Sequence, residues 1–274
     1  YFVRKSVDFP AVNYAYSLFT GLLCGNANVV RIPSKEFPQV DIINRVLNDV
    51  LQSNEFSALK PYICLVKYEK DKNINDWFSG MCDVRVIWGG DNTIAELRKS
   101  RLQPRATEIT FADRYSLAVI DSSAYISEEN KDRVISDFYN DTYLSDQNAC
   151  TSPRVVVWTG DEIDKAKQDF WNRLHVFAGN KYFFQPIHSI DKLSLIYLAA
   201  ACYNANTEEK VSVQKEETVD NLLVRIKADG LSPVLMDYRG NSGFFYEYDC
   251  KDILELRDFC NNTHCQTIGV IGDP

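Results

Sequence analysis

The stretch Val84-Arg85-Val86-Ile87-Trp88-Gly89-Gly90-Asp91-Asn92-Thr93 reads as a strand, a glycine turn and the approach to a helix. Its β-branched start predicts a buried strand, and a helix is predicted over about 93–101. Glycines after a strand allow a backbone to approach a phosphate, and helix N-terminal amides attract its charge. The stretch is not a full G-x-G-x-x-G motif. An ordinary strand-to-helix turn that needs glycine for its backbone angles is therefore an equal alternative.

The segments on either side of this stretch alternate between strand and helix patterns. The residues before it predict a strand at the N-terminus, a helix over 11–23 opened by Pro10, a strand over 28–32, a helix over 39–53 and a strand over 62–68, and a further strand follows over 117–120. This alternation predicts a parallel sheet with crossover helices, in which ligands bind outside the carboxyl ends of the strands.

A second turn at such a strand end is Pro33-Ser34-Lys35. Beside a dinucleotide, Ser34 is placed to reach a ribose and Lys35 a 2′-phosphate, whereas an acidic residue there favours NAD. The alternative is that Lys35 is only a surface charge.

From about residue 122 the pattern continues with different content. It predicts helices over 128–144, 162–177, 193–202 and 251–260, and strands over 155–158, 222–226 and 244–248. We place the boundary between two domains near 115–122. The predicted domains are a dinucleotide-binding domain over 1–118 and a catalytic cysteine domain over 119–274.

Cys150 is the candidate nucleophile of the second half. It lies in Ser145-Asp146-Gln147-Asn148-Ala149-Cys150-Thr151-Ser152-Pro153-Arg154, between a helical stretch and the apolar run 155–158. A thiol acts as a nucleophile when amides or a nearby cation stabilise its thiolate, and here the amides of the turn or Arg154 would do so. A buried structural cysteine remains the alternative.

Composition excludes several classes of protein. The net charge of −8 argues against a nucleic-acid surface, and 45% apolar with 25% charged residues is ordinary for a globular protein. No apolar run approaches the roughly 18 residues of a membrane span. The N-terminus has no signal-peptide pattern, and we expect residues to be missing from both ends.

The cysteines and histidines predict no metal centre. None of the eight cysteines forms a CxxC pair, and the three histidines, His175, His188 and His264, share no metal-ligand spacing. We expect buried free thiols of a cytoplasmic protein, with Cys64 as an example, rather than a disulfide framework.

Several stretches, taken in order, resemble the aldehyde dehydrogenase superfamily. They are Asp8-Phe9-Pro10, the helix end and strand that lead into Pro33-Ser34-Lys35, the Gly89-Gly90 turn and the Cys150 segment. Four stretches resemble more narrowly the acyl-CoA reductase family, whose namesake is the fatty-acid reductase of bacterial bioluminescence: Gly25-Asn26-Ala27-Asn28-Val29-Val30-Arg31, Trp88-Gly89-Gly90, Asp146-Gln147-Asn148-Ala149-Cys150-Thr151-Ser152-Pro153 and Gln266-Thr267-Ile268-Gly269.

This resemblance implies an aldehyde-dehydrogenase-like α/β fold, with a Rossmann-type nucleotide domain and an α/β catalytic domain. It implies reduction of an acyl-CoA or acyl thioester by NADPH to an aldehyde, with Cys150 carrying the acyl group. Pro33, Ser34, Lys35, Gly89, Gly90 and Thr93 are the implied cofactor-binding residues. The implied partners are the acyl thioester and either a second copy of the chain or the enzymes that supply acyl groups.

The chain departs from the superfamily in three ways. Asp8 stands where the superfamily has its oxyanion-binding Asn, so either Asp8 is protonated or Asn13 or Ser6 serves instead. The segment that carries the hydrolytic base has no clean match, and Glu108 is a weak candidate for it. Part of the nucleotide domain and the oligomerisation arm are not visible. An aldehyde dehydrogenase working toward the acid, or a non-catalytic interaction domain, are the alternative functions.

Overall fold

A computed structural model of the chain describes residues 2–5, 10–32, 37–205, 212–261 and 264–272. The chain divides into two compact units, Tyr1–Asp113 and Arg114–Pro274. The sequence placed this boundary after residue 118, which lies inside a single strand, Tyr115–Asp121, that pairs on both sides with strands of the second unit. The structural division therefore precedes the whole of that strand.

The first unit is built on a parallel sheet of five strands. In chain order the strands are β1 (Phe2–Lys5), β2 (Asn28–Arg31), β3 (Ile63–Val66), β4 (Val84–Trp88) and β5 (Thr107–Phe111). They lie in the order β3-β2-β1-β4-β5, and every pairing is parallel. This is the order of the first five strands of a Rossmann fold.

Helices connect these strands, and the sequence patterns predicted three of these four helices. They are α1 (Pro10–Leu23), α2 (Pro38–Gln52), α3 (Lys72–Met81) and α4 (Asp91–Arg98). α2 begins at Pro38. Proline is tolerated there because a backbone N–H at the first helical position makes no hydrogen bond within the helix. Asp71 caps α3 by accepting hydrogen bonds from the backbone N–H groups of Asn73 and Ile74.

The second unit has a sheet of six strands. These are β6 (Tyr115–Asp121), β7 (Pro153–Thr159), β8 (Val213–Lys215), β9 (Val224–Ala228), β10 (Phe244–Asp249) and β11 (Cys265–Ile271). Their order is β11-β6-β7-β10-β9-β8, and only the β8–β9 pairing is antiparallel. The helices are α5 (Ser122–Ser127), α6 (Lys131–Thr142), α7 (Ile163–Lys181), α8 (Pro186–Ala205) and α9 (Arg257–Cys260).

A buried carboxylate joins the strands and one helix of the second unit. Glu247 on β10 is 1% exposed and accepts hydrogen bonds from the indole N–H groups of Trp158, at 2.9 Å, and Trp171, at 2.6 Å. Its other oxygen contacts Nη1 of Arg225 at 3.2 Å. Burial raises the pKa of Glu247, although Arg225 and the two indoles oppose the rise. These bonds link β7, β9, β10 and α7 within a core of aromatic and aliphatic side chains.

The sequence missed several elements, and for two of the strands exposure explains why. They are α3, β5, α5, β8 and β11. Five consecutive residues of β11 are exposed and β5 is half exposed, so neither carries the strong apolar run of a central strand. The helix predicted over 128–144 is shorter in the structure, since α6 covers Lys131–Thr142 and a 3₁₀ turn, Tyr143–Ser145, follows it. Cys64, expected to be buried, is exposed, whereas Cys82 and Cys250 are buried.

Two absences can be stated for the described part of the chain. None of its helices combines the length and apolarity that crossing a bilayer requires. Among the same residues, no group of three or more His, Cys, Asp or Glu side chains is placed to hold a metal ion.

Lys192 on α8 is a buried cation of the second unit. It is 2% exposed, and its Nζ donates to the carbonyl oxygens of Asn221 at 2.7 Å and Leu222 at 3.1 Å. The ammonium also lies 4.9 Å from the ring centroid of Phe184. Burial lowers the pKa of Lys192 to about 7, whereas in the unfolded chain it is about 10.4.

This depressed pKa predicts a pH-dependent stability. Between the two pKa values the unfolded chain binds more protons, so the free energy of unfolding rises with pH by up to about 1.4 kcal/mol per pH unit. Below pH 7 both states are protonated and the contribution of Lys192 is at its minimum. In urea titrations from pH 7.5 to 9, the free energy of unfolding of the wild type minus that of Lys192→Met should rise. The same difference for the exposed Lys165→Met should stay flat, and a flat difference for Lys192 would contradict the prediction.

Candidate functional site

Cys150 lies in a tight turn at the head of β7. The chain leaves α6 through the 3₁₀ turn Tyr143–Ser145, and Asp146 and Gln147 then take left-handed backbone angles, with φ of 49° and 58°. Such angles cost a non-glycine residue roughly 1–2 kcal/mol, so other contacts must hold the turn in place. Cys150 itself is a partly exposed free thiol.

The side chain of Gln147 provides the main anchor of this turn. It is fully buried, and its Nε2 donates to the carbonyl oxygens of Pro153, at 2.9 Å, and Phe244, at 3.0 Å. Its Oε1 accepts from the N–H groups of Gly243 and Phe244, both at 3.0 Å. All four hydrogen-bonding positions of the amide are therefore used. The turn is fastened to the first residues of both β7 and β10.

Serine hydroxyls hold the two sides of Cys150. Ser116 on β6 donates to the carbonyl oxygen of Cys150 at 2.7 Å. Ser152 donates to the carbonyl oxygen of Asp141 at 2.6 Å and lies 3.3 Å from the hydroxyl of Ser145. The backbone of the cysteine is thus positioned from β6, and the residues beyond it are tied back to α6.

The loop before β10 completes the support of the turn. The N–H of Ser242 donates to the carbonyl oxygen of Asp146 at 3.0 Å, and the hydroxyl of Tyr182 donates to the Asp146 carboxylate at 2.7 Å. Gly243 has a φ of +90°, and a Cβ there would lie 2.2 Å from the hydroxyl oxygen of Tyr143. Only glycine fits this position, because a side chain would push the loop away from the turn.

The amides beside the thiol are available to a ligand. Within the described ranges, the N–H groups of Ala149, Cys150 and Thr151 donate no hydrogen bond to another residue. Arg154, the cation expected to stabilise the thiolate, is buried and donates to the carbonyl oxygen of Gly240 and to the side chain of Asn241. These bonds tie the start of β7 to the loop before β10. The free N–H of Cys150 could donate to the oxyanion of a carbonyl group that is attached to the sulfur of the same residue.

In the first unit the strand order reverses between β1 and β4, which is the edge where parallel sheets of this type commonly bind ligands. Gly89 and Gly90 follow β4 directly, and Gly90 is the N-cap residue of α4, with no side-chain cap. Gly90 has a φ of −65°, an angle that any residue adopts, so its backbone does not require glycine. A Cβ there would have only Asp113 Cβ within reach, at 4.0 Å. The missing side chain instead leaves open space at the helix N-terminus.

Aromatic rings border this edge. The rings of Trp88, at the end of β4, and Phe111, at the end of β5, are stacked with centroids 3.9 Å apart. The indole N–H of Trp88 donates to the hydroxyl of Ser17 on α1 at 2.9 Å. The ends of both strands are therefore held to each other and to the first helix, next to the glycine turn.

The remaining candidate residues are described only in part. Asn13 lies in the first turns of α1 and is partly exposed, and Thr93 lies in the first turn of α4 and is also partly exposed. The other calls on the first unit fall outside the described residues; they are Ser6, Asp8, Pro33, Ser34 and Lys35. Asn13, Gly89, Gly90 and Thr93 belong to the first unit and Cys150 to the second.

Glu108, the weak candidate for a hydrolytic base, has a structural role. Its carboxylate contacts Nη2 of the buried Arg85 at 2.5 Å and Nε of Arg98 at 2.7 Å. Burial alone would raise the pKa of Glu108, but the hydrogen bonds and charges of Arg98 and Arg85 outweigh it and hold the pKa below the usual range. A carboxylate held ionised between two guanidinium groups is a poor acceptor for a proton from water.

Comparison with known proteins places these features in a family. A sequence model of the acyl-CoA reductases of the LuxC type matches residues 10–175, which is more than half of the chain. The chain belongs to the LuxC acyl-CoA reductase family. The match covers the glycine turn after β4 and the whole Cys150 turn, and it confirms the resemblance seen in the sequence. No curated protein sequence matches the chain.

Solved structures with the same fold are aldehyde dehydrogenases. An NAD-dependent benzaldehyde dehydrogenase from Corynebacterium glutamicum matches with a TM-score of 0.65 and 14% identity, over 99% of this chain and 59% of its own. A succinic semialdehyde dehydrogenase from Streptococcus pyogenes, in complex with NADP⁺, matches with a TM-score of 0.68 and 12% identity, over 100% and 60%. The predicted aldehyde-dehydrogenase-like α/β fold is confirmed. The chain spans about 60% of the length of these relatives.

The support of the Cys150 turn in this family member was not visible in the sequence. Gln147 stands inside the quoted motif, but nothing marks it as the anchor, because its partner Phe244 is 97 residues away. Ser116 is likewise 34 residues from Cys150. The one available signal is the pair of short polar residues Asp146 and Ser145 before a strand, which is typical of a turn.

The buried amide of Gln147 predicts a large loss of stability on substitution. Gln147→Leu keeps most of the volume but removes four hydrogen bonds to buried backbone groups, which should lower the free energy of unfolding by roughly 2–5 kcal/mol. Urea denaturation measures this loss. The matched control is Gln168→Leu on the exposed face of α7, where a change within about 0.5 kcal/mol is expected. Equal effects of the two substitutions would show that the Gln147 bonds do not support the fold.

Proposed function

We propose that the chain catalyses, within its full protein, the NADPH-dependent reduction of an acyl-CoA or other acyl thioester to an aldehyde, through a thioester at Cys150. The observation that carries the proposal is the Cys150 turn itself. A free, partly exposed thiol stands on a backbone that Gln147 and Ser116 hold in place, beside amides with no acceptor among the described residues. Membership in the acyl-CoA reductase family supports the choice of substrate.

The first step follows from the chemistry of the thiol. The sulfur of Cys150, as the thiolate, attacks the carbonyl carbon of the acyl thioester and forms a new C–S bond. The negative charge that develops on the carbonyl oxygen is stabilised by the backbone N–H of Cys150. Collapse of the tetrahedral intermediate breaks the bond to the CoA sulfur, CoA leaves with a proton from the medium, and the acyl group remains on Cys150.

NADPH, when bound, supplies the hydride that reduces this acyl group. The N–H of Cys150 then stabilises the oxyanion of the thiohemiacetal, whose collapse breaks the C–S bond. The aldehyde leaves and Cys150 regains its thiolate. The balance is one acyl-CoA, one NADPH and one proton converted to aldehyde, CoA and NADP⁺.

The first unit offers a fitting place for the cofactor. The open space at Gly90 and the α4 N-terminus without a side-chain cap suit a phosphate, and Gly89, Gly90 and Thr93 would hold it. Asp91 in the first turn of α4 opposes a phosphate, so the neighbouring amides must outweigh its charge. Lys35 supports the choice of NADPH over NADH from the sequence, since a cation there would bind a 2′-phosphate.

The direction of reaction rests on Glu108. Oxidation of an aldehyde to an acid needs a base that activates water, and the ion pairs of Glu108 with Arg85 and Arg98 remove it from that role. Reduction needs no activated water. Among the described residues of the first unit, Glu108 is the carboxylate that the sequence suggested as a base. Reduction is therefore favoured over oxidation of an aldehyde to an acid.

A thioester on Cys150 is directly measurable. Incubation with an acyl-CoA in the absence of NADPH should raise the intact mass by that of the acyl group, and peptide mapping should place it on Cys150. Cys150→Ser should show no adduct, whereas Cys202→Ser, which changes an exposed thiol of α8, should be acylated like the wild type. An adduct that persists in Cys150→Ser would remove Cys150 from the mechanism.

The cofactor site predicts that Gly90→Ala weakens cofactor binding in a chain that still folds. The new methyl group meets no atom nearer than Asp113 Cβ at 4.0 Å, so the fold should tolerate it. The methyl group would, however, occupy the space proposed for a phosphate. The dissociation constant for NADPH, measured by fluorescence titration, should therefore rise roughly tenfold, or by about 1.4 kcal/mol.

The matched control for this experiment is Gly80→Ala on α3, where a Cβ meets nothing within 4 Å. It should leave the dissociation constant for NADPH unchanged. Equal affinities for wild type and Gly90→Ala would place the cofactor elsewhere. If the wild type shows no saturable binding, a non-catalytic role of the domain would be favoured instead.

A further inference from the structure

Helix α8 of the second unit is apolar on two opposite faces. Its inner face packs against the main core of the unit through Leu195, Ile196, Ala199 and Tyr203. Between residues 186 and 203 the sequence has two charged residues, Asp191 and Lys192, and Lys192 is buried. A surface helix normally turns a charged face to the solvent, as α7 does, whereas a helix that is apolar all round is buried. α8 therefore has the composition of a helix that is covered on both sides.

The side of α8 that points away from the core is exposed. We define its outer face by six side chains, which are Ile187, Ile190, Leu193, Ser194, Tyr197 and Leu198. Ile190 is 61% exposed and Tyr197 is 68% exposed. The hydroxyl of Ser194 donates to the carbonyl oxygen of Ile190 at 2.9 Å, so the one polar group of this face already has a partner within the helix. The outer face therefore has little to gain from water.

The spacing of the outer face suits a second helix. Ile187, Ile190, Ser194 and Tyr197 follow one another at intervals of three, four and three residues. This alternation is the one by which two helices interlock along a seam. Ser194, a small residue between larger ones, leaves a recess into which a side chain of the opposite helix can insert. The shape and the spacing together predict a helical partner.

The size of the outer face matches one half of a dimer interface. At their exposed fractions, its five apolar side chains present roughly 500 Å² of surface, which is at the upper end of what a monomer usually exposes in one patch. In a standard interface each partner buries about 800 Å², and about 60% of that surface is apolar. The apolar centre of such an interface is therefore as large as the outer face.

We propose that the outer face of α8 is an interface between two copies of the protein, in which the two α8 helices pack against each other about a two-fold axis. Such an axis brings the same surface of both copies together, so each helix meets an identical seam. A membrane surface is disfavoured, because helices that lie on membranes carry Lys and Arg beside their apolar face and α8 exposes neither. The interface does not depend on the proposed function.

The mass of the full protein in solution tests this interface. In sedimentation velocity at micromolar concentration, the wild type should be a dimer. Ile190→Asp and Tyr197→Asp should each raise the dissociation constant of the dimer by roughly 100-fold, because they bury an unpaired charge in each copy. The matched control is Val46→Asp, which changes an apolar side chain of α2 that is 52% exposed, and it should leave the dimer intact. Since all three sites are exposed, the far-UV circular dichroism should be that of the wild type.

Cross-linking locates the contact. In a chain that carries Cys202→Ser, so that the exposed native thiol of α8 is removed, Ser194→Cys should give a covalent dimer with a short bis-maleimide. Mass spectrometry should find the link between the two introduced thiols. Gln168→Cys, on the exposed face of α7, should give no such dimer in the same background.

Several results would overturn the proposal. They are a monomeric wild type, a dimer that Ile190→Asp and Tyr197→Asp leave intact, and a dimer that Val46→Asp weakens to the same degree. If Ile190→Asp lowers the stability of the full protein but not its mass, another part of the same protein covers the outer face. If a monomeric wild type floats with lipid vesicles, the outer face binds membranes instead.

Discussion

The Cys150 turn depends on the buried amide of Gln147. Left-handed angles at Asp146 and Gln147 cost roughly 1–2 kcal/mol each, and four hydrogen bonds at about 1 kcal/mol each are enough to offset them. Because the amide bonds to the first residues of both β7 and β10, the turn takes its position from two central strands. A reactive cysteine needs this kind of rigid support, since its sulfur and its own N–H must act on the same carbonyl group.

The two units place their candidate sites at opposite ends of a parallel strand. In the first unit, the glycine turn follows the carboxyl end of β4, beside the point where the strand order reverses. In the second unit, Cys150 precedes the amino end of β7. In the first unit, a helix N-terminus can hold a phosphate. In the second unit, neighbouring strands hold the backbone of the Cys150 turn. We therefore propose that the first unit binds the cofactor and that the second unit supplies the nucleophile.

Prediction from the sequence was most successful where strands are buried on both faces. The runs that form β2, β4 and β7 are β-branched, and a central parallel strand leaves no polar face to interrupt them. Strands β5 and β11 were missed because they are exposed along much of their length. The ion pairs of Glu108 were also not visible, because the sequence shows a carboxylate but not the two arginines, 23 and 10 residues away, that hold it.

The sequence by itself determined the alternation of strands and helices, the glycine turn after β4 and the placement of Cys150 before a buried strand. These follow from local patterns, since periodicity and turn residues act over a few positions. Only the tertiary structure decided the strand orders and the anchoring of the turn by Gln147 and Ser116. Each of these depends on groups that approach one another only when the sheet has formed, and side-chain hydrogen bonds across a fold leave no periodic trace in the sequence.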